Sequence, residues 1–106
     1  VIGRLRHFLL IEAREEADDG AGGMIATWVA AGATWGRIEP LAGREALIAD
    51  REMASRRCRI ILRYRDGLTP AHRFVFDGRH FDIAAIADRD GRRRFLTCDC
   101  VEEERP

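Results

Sequence analysis

Residues 57–65, Arg-Cys-Arg-Ile-Ile-Leu-Arg-Tyr-Arg, alternate over their whole length. Cys58, Ile60, Leu62 and Tyr64 fall on one side of an extended chain. Arg57, Arg59, Arg63 and Arg65, with Ile61 among them, fall on the other. Successive side chains of a β-strand point to opposite faces, so a period of two means one face packed inward and one polar. That strand sets the pattern against which the rest of the chain is read.

On either side the sequence reads as further strands punctuated by glycine turns. Leu5–Glu12 alternates at its edges and is apolar at its centre, which reads as burial on both sides. Ala13–Gly23 is acidic and glycine-rich and reads as a flexible turn. It lacks the Gly-Lys-Ser/Thr ending of a phosphate loop, and the chain has no lysine to supply one. Met24–Glu39 is a long β-rich segment, with Ala30-Ala31-Gly32 marking a bulge or tight bend before Pro40 closes it. Residues 42–54 are good helix formers with an imperfect apolar period, giving a short helix or a long ordered loop. Asp66-Gly67 turns the chain. Arg73–Phe76 and Arg79–Ile83 form a hairpin around Asp77-Gly78, a dipeptide suited to a type I′ turn. A strand to Ile86, a second Asp-Gly turn at Asp90-Gly91 and a strand over Arg92–Val101 follow, and residues 102–106 read as a flexible acidic tail. The expected fold is mainly β. It is a single domain over residues 1–106, a small antiparallel β-barrel or sandwich of about six strands with one short helix or long loop inserted at 40–56. Trp28 and Trp35, with Phe74, Phe76 and Phe81, are the expected aromatic core.

Charge narrows the function. All 18 cations are arginine, matched by 18 Asp and Glu, so the formal charge is zero. That excludes a generally basic nucleic-acid binder while leaving room for a local patch. Arginine without lysine is the mark of a GC-rich genome. A second account is that a fixed planar fork is wanted at subunit contacts. The longest apolar run, Met24–Trp35, has 12 residues, against the ~20 of a membrane span. Phe8–Ile11 is too short for a signal-peptide core, so folding in the cytosol is expected, with Cys58, Cys98 and Cys100 reduced and buried. Cys98 and Cys100 point the same way in a strand and cannot easily bridge each other. Cys-x-Cys with three scattered histidines lacks the usual zinc spacing, and neither a metal nor another cofactor is expected.

Catalytic signals are thin. No nucleophile has a signature elbow or an adjacent base. Glu15-Glu16, Asp18-Asp19 and Glu102–Glu104 read as solvated surface. His7, His72 and His80 lie in or beside strands and read as packing residues, although His80 and Asp82 share a strand face and could pair. No enzyme is expected. The arginine stripe admits three readings: a solvated face cross-paired with carboxylates such as Asp82 or Glu39, a phosphate-facing patch, or a subunit-contact face making forked Arg–carboxylate bonds.

Taken in order, several segments carry a resemblance. They are Ile2-Gly3-Arg4-Leu5-Arg6-His7, Asp19-Gly20-Ala21-Gly22-Gly23 before Thr27-Trp28, Trp35 through Glu45, and Arg59 through Arg65. The most characteristic are Gly78-Arg79-His80-Phe81-Asp82-Ile83, Arg93-Arg94-Phe95-Leu96 and Cys98-x-Cys100-x-Glu102. In this unbroken order the chain resembles the head–tail joining family of long-tailed phages, prophages and gene transfer agents, also called head-closure or stopper proteins. The resemblance implies a non-enzymatic β-barrel in the virion neck, assembled in the host bacterial cytoplasm. It implies a homo-oligomeric ring of about six or twelve copies, six favoured, with a head-to-tail interface closed by rotation. The implied partners are a portal-side adaptor, a tail terminator or tail tube protein, and packaged DNA passing through the channel, with no membrane. Candidate subunit or channel contacts are Arg44, Glu45, Asp50, Arg51 and Glu52 in the 40–56 segment, and Arg57, Arg59, Arg63 and Arg65 on the strand. The alternative is a small β-barrel nucleic-acid-binding module using that arginine face, with affinity falling steeply as salt rises.

Overall fold

The computed structural model describes residues 5–40 and 57–103. Among them are six strands: β1 (His7–Asp18), β2 (Met24–Pro40), β3 (Arg57–Arg63), β4 (His72–Phe76), β5 (Arg79–Ala87) and β6 (Phe95–Glu102). Every neighbouring pair is antiparallel, and the sheet closes into a barrel in the order β1-β2-β3-β6-β5-β4. Closure removes the free edges that an open sheet would present. The expected insertion, with Arg44, Glu45, Asp50, Arg51 and Glu52, lies outside the described residues.

The inward positions follow the period of two. Cys58, Ile60 and Leu62 of β3 meet Leu9 and Ile11 of β1, Phe74 of β4, Phe81 and Ile83 of β5, and Leu96, Cys98 and Cys100 of β6; all are buried, and among the described residues no polar or charged side chain is buried with them. β2 contributes Gly36 at the same level. A Cβ there would lie 2.6 Å from Leu9 Cδ1 and 3.0 Å from the Ile61 carbonyl oxygen, so glycine lets β2 close onto the core. Asp77 and Gly78 have φ of 51° and 74°, the paired positive values of a type I′ turn. The bend expected at 30–32 is a bulge: Ile11 faces Gly32 and Glu12 faces Ala30, with Ala31 left over. A second bulge shifts β5 against β6 between Ile83 and Ala85.

Several expectations are corrected. Ala13–Asp18 is strand, not turn, pairing residue by residue with Met24–Val29. The turn is confined to Asp19–Gly23, where Asp18 Oδ1 accepts from Gly20 N–H and Asp19 Oδ1 accepts from Ala21 and Gly23 N–H. Those N–H donors hold the Asp19 carboxyl below its usual range. β6 begins at Phe95, because the chain over Asp88–Arg94 is wound into a capped turn with positive φ at Gly91 and Arg93. β6 runs through Glu102, and Glu103 N–H donates to the His80 carbonyl, so the first two residues of the expected tail belong to the sheet. Phe74 and Phe81 form the aromatic core, while Trp35 is exposed and Trp28 and Phe76 are only half-buried.

Strands β1 and β2 outrun the barrel. β4 pairs with β1 only as far as Ala13, and β3 pairs with β2 only from Gly36 to Pro40. Beyond those points the hairpin continues as a two-stranded arm. Its end lies about 17 Å past Ala13, at roughly 3.3 Å per residue.

Candidate functional site

The arginine stripe lies on the outer face of β3 but does not form an open cationic surface. Arg59 stands in register between Glu39 of β2 and Asp99 of β6, with Nε 3.6 Å from Asp99 Oδ1. Arg37 and Glu39 pair beside it at 3.5 Å. Arg63 extends toward the Phe95 ring, 5.9 Å from its centroid. Arg65 lies past the end of β3, where its Nη1 donates to the Ala33 carbonyl at 3.3 Å, next to the Cα of Gly32. At Gly32, φ is 146°, a backbone conformation that favours glycine, and a Cβ there would meet that guanidinium at 2.9 Å and displace it. Arg57 is exposed at the opposite end of the strand. The strand expected over 57–65 ends at Arg63, so three of the arginines share β3 and Arg65 follows it; the four serve separate contacts, and carboxylates interrupt the row. Glu39 was legible as a partner. Asp82 is not beside β3, and Asp99 takes the place expected for it.

The most concentrated polar cluster is one that sequence reasoning missed. Arg73 of β4 sits in register between Glu12 of β1 and Asp82 of β5. Its Nε and Nη2 both lie 2.7 Å from Glu12 Oε1, and Nη1 lies 3.4 Å from Glu103 Oε2. The guanidinium covers Trp28, 4.2 Å from the ring centroid. The Arg73 side chain is 12% exposed, so these bonds are poorly screened. They tie the base of the arm, Glu12 and Trp28, to the barrel wall. His80 joins the cluster through Nδ1, 3.6 Å from Glu103 Oε2. Partial desolvation, then the charge of Glu103, pushes the Asp82 carboxyl up, with Arg73 and His80 opposing. His80, expected as a possible partner of Asp82, instead pairs with Glu103 and reaches the Asp82 carboxyl only through its charge.

The segment Gly78–Ile83 has a structural role in every residue. Gly78 completes the turn. Arg79 grips Glu102 with a two-pronged fork, Nε to Oε2 at 2.9 Å and Nη2 to Oε1 at 2.7 Å. Phe81 and Ile83 enter the core, and His80 and Asp82 join the Arg73 cluster. Burial pushes the thiols facing this core up, Cys58 to about 11 and Cys98 to about 12, with Cys100 raised further. Near the Arg79–Glu102 fork a cleft of about 270 Å³ opens between His7, Pro40, Arg57 and Phe76. His7 stacks edge-on against Phe76 and accepts the Ile38 N–H through Nδ1, while His72 Nδ1 contacts the Thr69 hydroxyl at 3.1 Å. Among the described residues, no three His, Cys, Asp or Glu side chains are grouped so as to hold a metal ion.

Outside the barrel, Phe8 and Trp35 face each other across β1 and β2, ring centroids 5.1 Å apart, and Leu10 lies two residues along β1. All three are about half exposed. They give this side of the barrel an apolar outer patch.

These features define a small closed β-barrel with a projecting two-stranded arm and a wall laced by arginine–carboxylate forks. The chain belongs to the phage head completion protein family, whose pattern it matches over residues 2–104. It is similar to the solution structure of protein SF1141 from Shigella flexneri 2a, with 26% identity and a TM-score of 0.77 over 99% of this chain and 98% of that one. It is also similar to a chain in the virion of a native gene transfer agent particle, with 27% identity and a TM-score of 0.69 over 97% of both chains. No curated protein matches the chain. Family and fold together make it a structural protein of the head–tail region of a phage-type particle.

Proposed function

We propose that the protein is a connector that closes the DNA-filled head and docks the tail, acting as a ring of identical copies beneath the portal. The observation that carries this reading is the overlay of nearly the entire chain on a chain of an assembled gene transfer agent virion. The ring has about six or twelve copies, six favoured, joined head to tail so that rotation closes it. One face meets a portal-side adaptor and the other a tail terminator or tail tube protein, and packaged DNA passes along the axis. Assembly takes place in the host bacterial cytoplasm, and the work is mechanical rather than catalytic.

The β3 arginines fit this reading better than the nucleic-acid alternative. Arg59 lies between Glu39 and Asp99, which would repel a phosphate backbone. A reconstruction of the particle neck tests the proposal: a closed ring of this barrel between portal and tail supports it, and a neck without the barrel refutes it. The 40–56 segment is proposed as a subunit or channel contact through Arg44, Glu45, Asp50, Arg51 and Glu52, together with Arg57, Arg59, Arg63 and Arg65. Reversing Arg44 and Arg51 to Glu is expected to reduce DNA-filled particles. Normal particle yield and full DNA retention would discard that role.

A further inference from the structure

The geometry points to the β1–β2 arm as the element by which one copy holds the next, its acidic strand meeting the arginine turn Asp88–Arg94 of the neighbouring copy. This rests on the ring reading above and names the surfaces that would build it.

The arm is unusual for a free surface. A two-stranded ribbon without a third strand is marginally stable in water. Here the longest dimension of the molecule is 50 Å against a shortest of 25 Å, and the radius of gyration is 15.0 Å, where a compact domain of this length has about 13 Å. The Arg73 cluster holds the arm at its base, so its direction is fixed before any partner arrives. Its two strands differ sharply. From Met24 to Gly36, β2 carries no charge, and Met24 and Ile25 are 63% and 50% exposed. Natural proteins guard such an edge with charges or proline, or cover it. The β1 side offers Glu15, Glu16, Asp18 and Asp19 against one cation, Arg14.

The complementary surface is the β5–β6 turn. Both of its carboxylates bond within the turn. Asp88 Oδ2 accepts the Arg93 N–H at 2.9 Å, and Asp90 accepts the Arg92 N–H at 2.9 Å and binds the Arg94 guanidinium at 2.7 Å. The side chains of Arg89 and Arg92 make no ion pair among the described residues, and both are exposed.

Topology then restricts who can meet whom. β1 ends and β2 begins at the same rim of the barrel where β5 passes into β6, so arm and turn stand at one height. Around that rim, however, β3 separates β2 from β6, and β4 separates β1 from β5. The acidic arm and the basic turn therefore lie on opposite sides of the barrel, and a copy cannot satisfy one with the other. Rotation about an axis parallel to the barrel preserves height and brings the arm of each copy to the turn of the next. Repeated, that contact closes a head-to-tail ring. Opposite charge sets its direction, and the uncharged β2 edge supplies apolar area to bury.

The test uses particles carrying Glu15→Arg with Glu16→Arg, Arg89→Glu with Arg92→Glu, or all four changes together. Neither pair touches the turn carboxylates, and unchanged thermal unfolding checks that each variant folds. Each pair alone is expected to lower the amount of this protein per particle about tenfold or more, and the fourfold variant to recover most of it. Wild-type incorporation by either pair, or no recovery in the fourfold variant, would overturn the assignment. As an independent readout, Glu15→Cys with Arg92→Cys should give an oxidised ladder of linked copies from assembled particles, and no ladder would refute the contact. A neck map showing the ring with the arm on a different protein would sink this inference and leave the ring reading intact. A neck with no ring would sink both.

Discussion

Replacing Arg73 by leucine isolates the cluster that fixes the arm. The substitution removes two close contacts to Glu12 at 2.7 Å, a longer one to Glu103 at 3.4 Å, and the cation above Trp28 at 4.2 Å. Hydrogen bonds between charged groups contribute about 1.5–3 kcal/mol when shielded, and a cation over an indole adds about 1 kcal/mol. Glu12 is 26% exposed and Glu103 is 51% exposed, so water partly compensates the carboxylates left behind and the low end of the range applies. Leucine also retains some of the apolar contact with Trp28. The expected net loss is about 3 kcal/mol, which for a domain near this length lowers the melting temperature by roughly 12 °C or more. Melting followed by circular dichroism at neutral pH measures it. A double-mutant cycle with Glu12→Gln should give a coupling of about 1 kcal/mol or more. Amide exchange in the arm, over 14–18 and 24–28, should accelerate beyond what global destabilisation accounts for, because the base is released. A variant that melts within about 2 °C of wild type, or an arm whose protection is unchanged, would show that the cluster is surface decoration and would refute the reasoning.

Three further substitutions or treatments separate other parts of the account. Gly36→Ala places a methyl 2.6 Å from Leu9 Cδ1 and 3.0 Å from the Ile61 carbonyl oxygen; overpacking of this kind costs about 1–3 kcal/mol, and an unchanged denaturant midpoint would contradict the packing. Asp82 has its folded pKa raised above the ordinary 3.8 by partial desolvation and Glu103. Its favourable contribution is therefore present below that ordinary value and lost as pH rises through the raised one. Asp82→Asn should melt at or above wild type at pH 7, with the advantage shrinking toward zero in acid, whereas a loss at pH 7 that grows with pH would reverse the sign. Cys58, Cys98 and Cys100 are buried, with Cys58 and Cys98 pushed to about 11 and about 12. A thiol reagent at pH 8 should leave the folded protein unmodified and label all three cysteines in denaturant. Rapid labelling of the folded form would disprove the packing of that wall.

What the sequence showed was whatever has a core face. β3 was legible because Cys58, Ile60 and Leu62 point into the barrel at strict period two, and the Asp77-Gly78 turn because only that backbone suits it. The Ala30–Gly32 bulge was visible as three small residues inside an otherwise β-forming run. The outer half of β1 was not legible. An arm strand has solvent on both faces, so Glu15, Glu16 and Ala17 carry no hydrophobic period and read as loop. Trp35 reads as core by its size, although its neighbours Gly36 and Ile38 set the parity that turns it outward. Arg73 was hidden for a different reason. Its partners Glu12 and Glu103 lie far away in the chain, and only closure of β4 onto β1 brings them together. The same holds for Arg59 and Asp99, joined because β3 lies beside β6 in the barrel order.

Barrel order also decides what the charges mean. A neutral chain with 18 arginines and 18 carboxylates could spread its ion pairs evenly, but closure sorts them. On the barrel wall, forks tie neighbouring strands: Arg79 to Glu102 and Arg73 to Glu12, with Arg59 beside Asp99. An ammonium could not reproduce the fork, because both prongs of a planar guanidinium lie along the strand spacing that carboxylates offer. At the rim the sorting reverses, leaving carboxylates on the arm and arginines on the opposite turn. A molecule whose wall is internally satisfied and whose rim is divided between opposite charges has little left to give a polyanion along its side. What it has left is directional, which is what the proposed head-to-tail contact between copies requires.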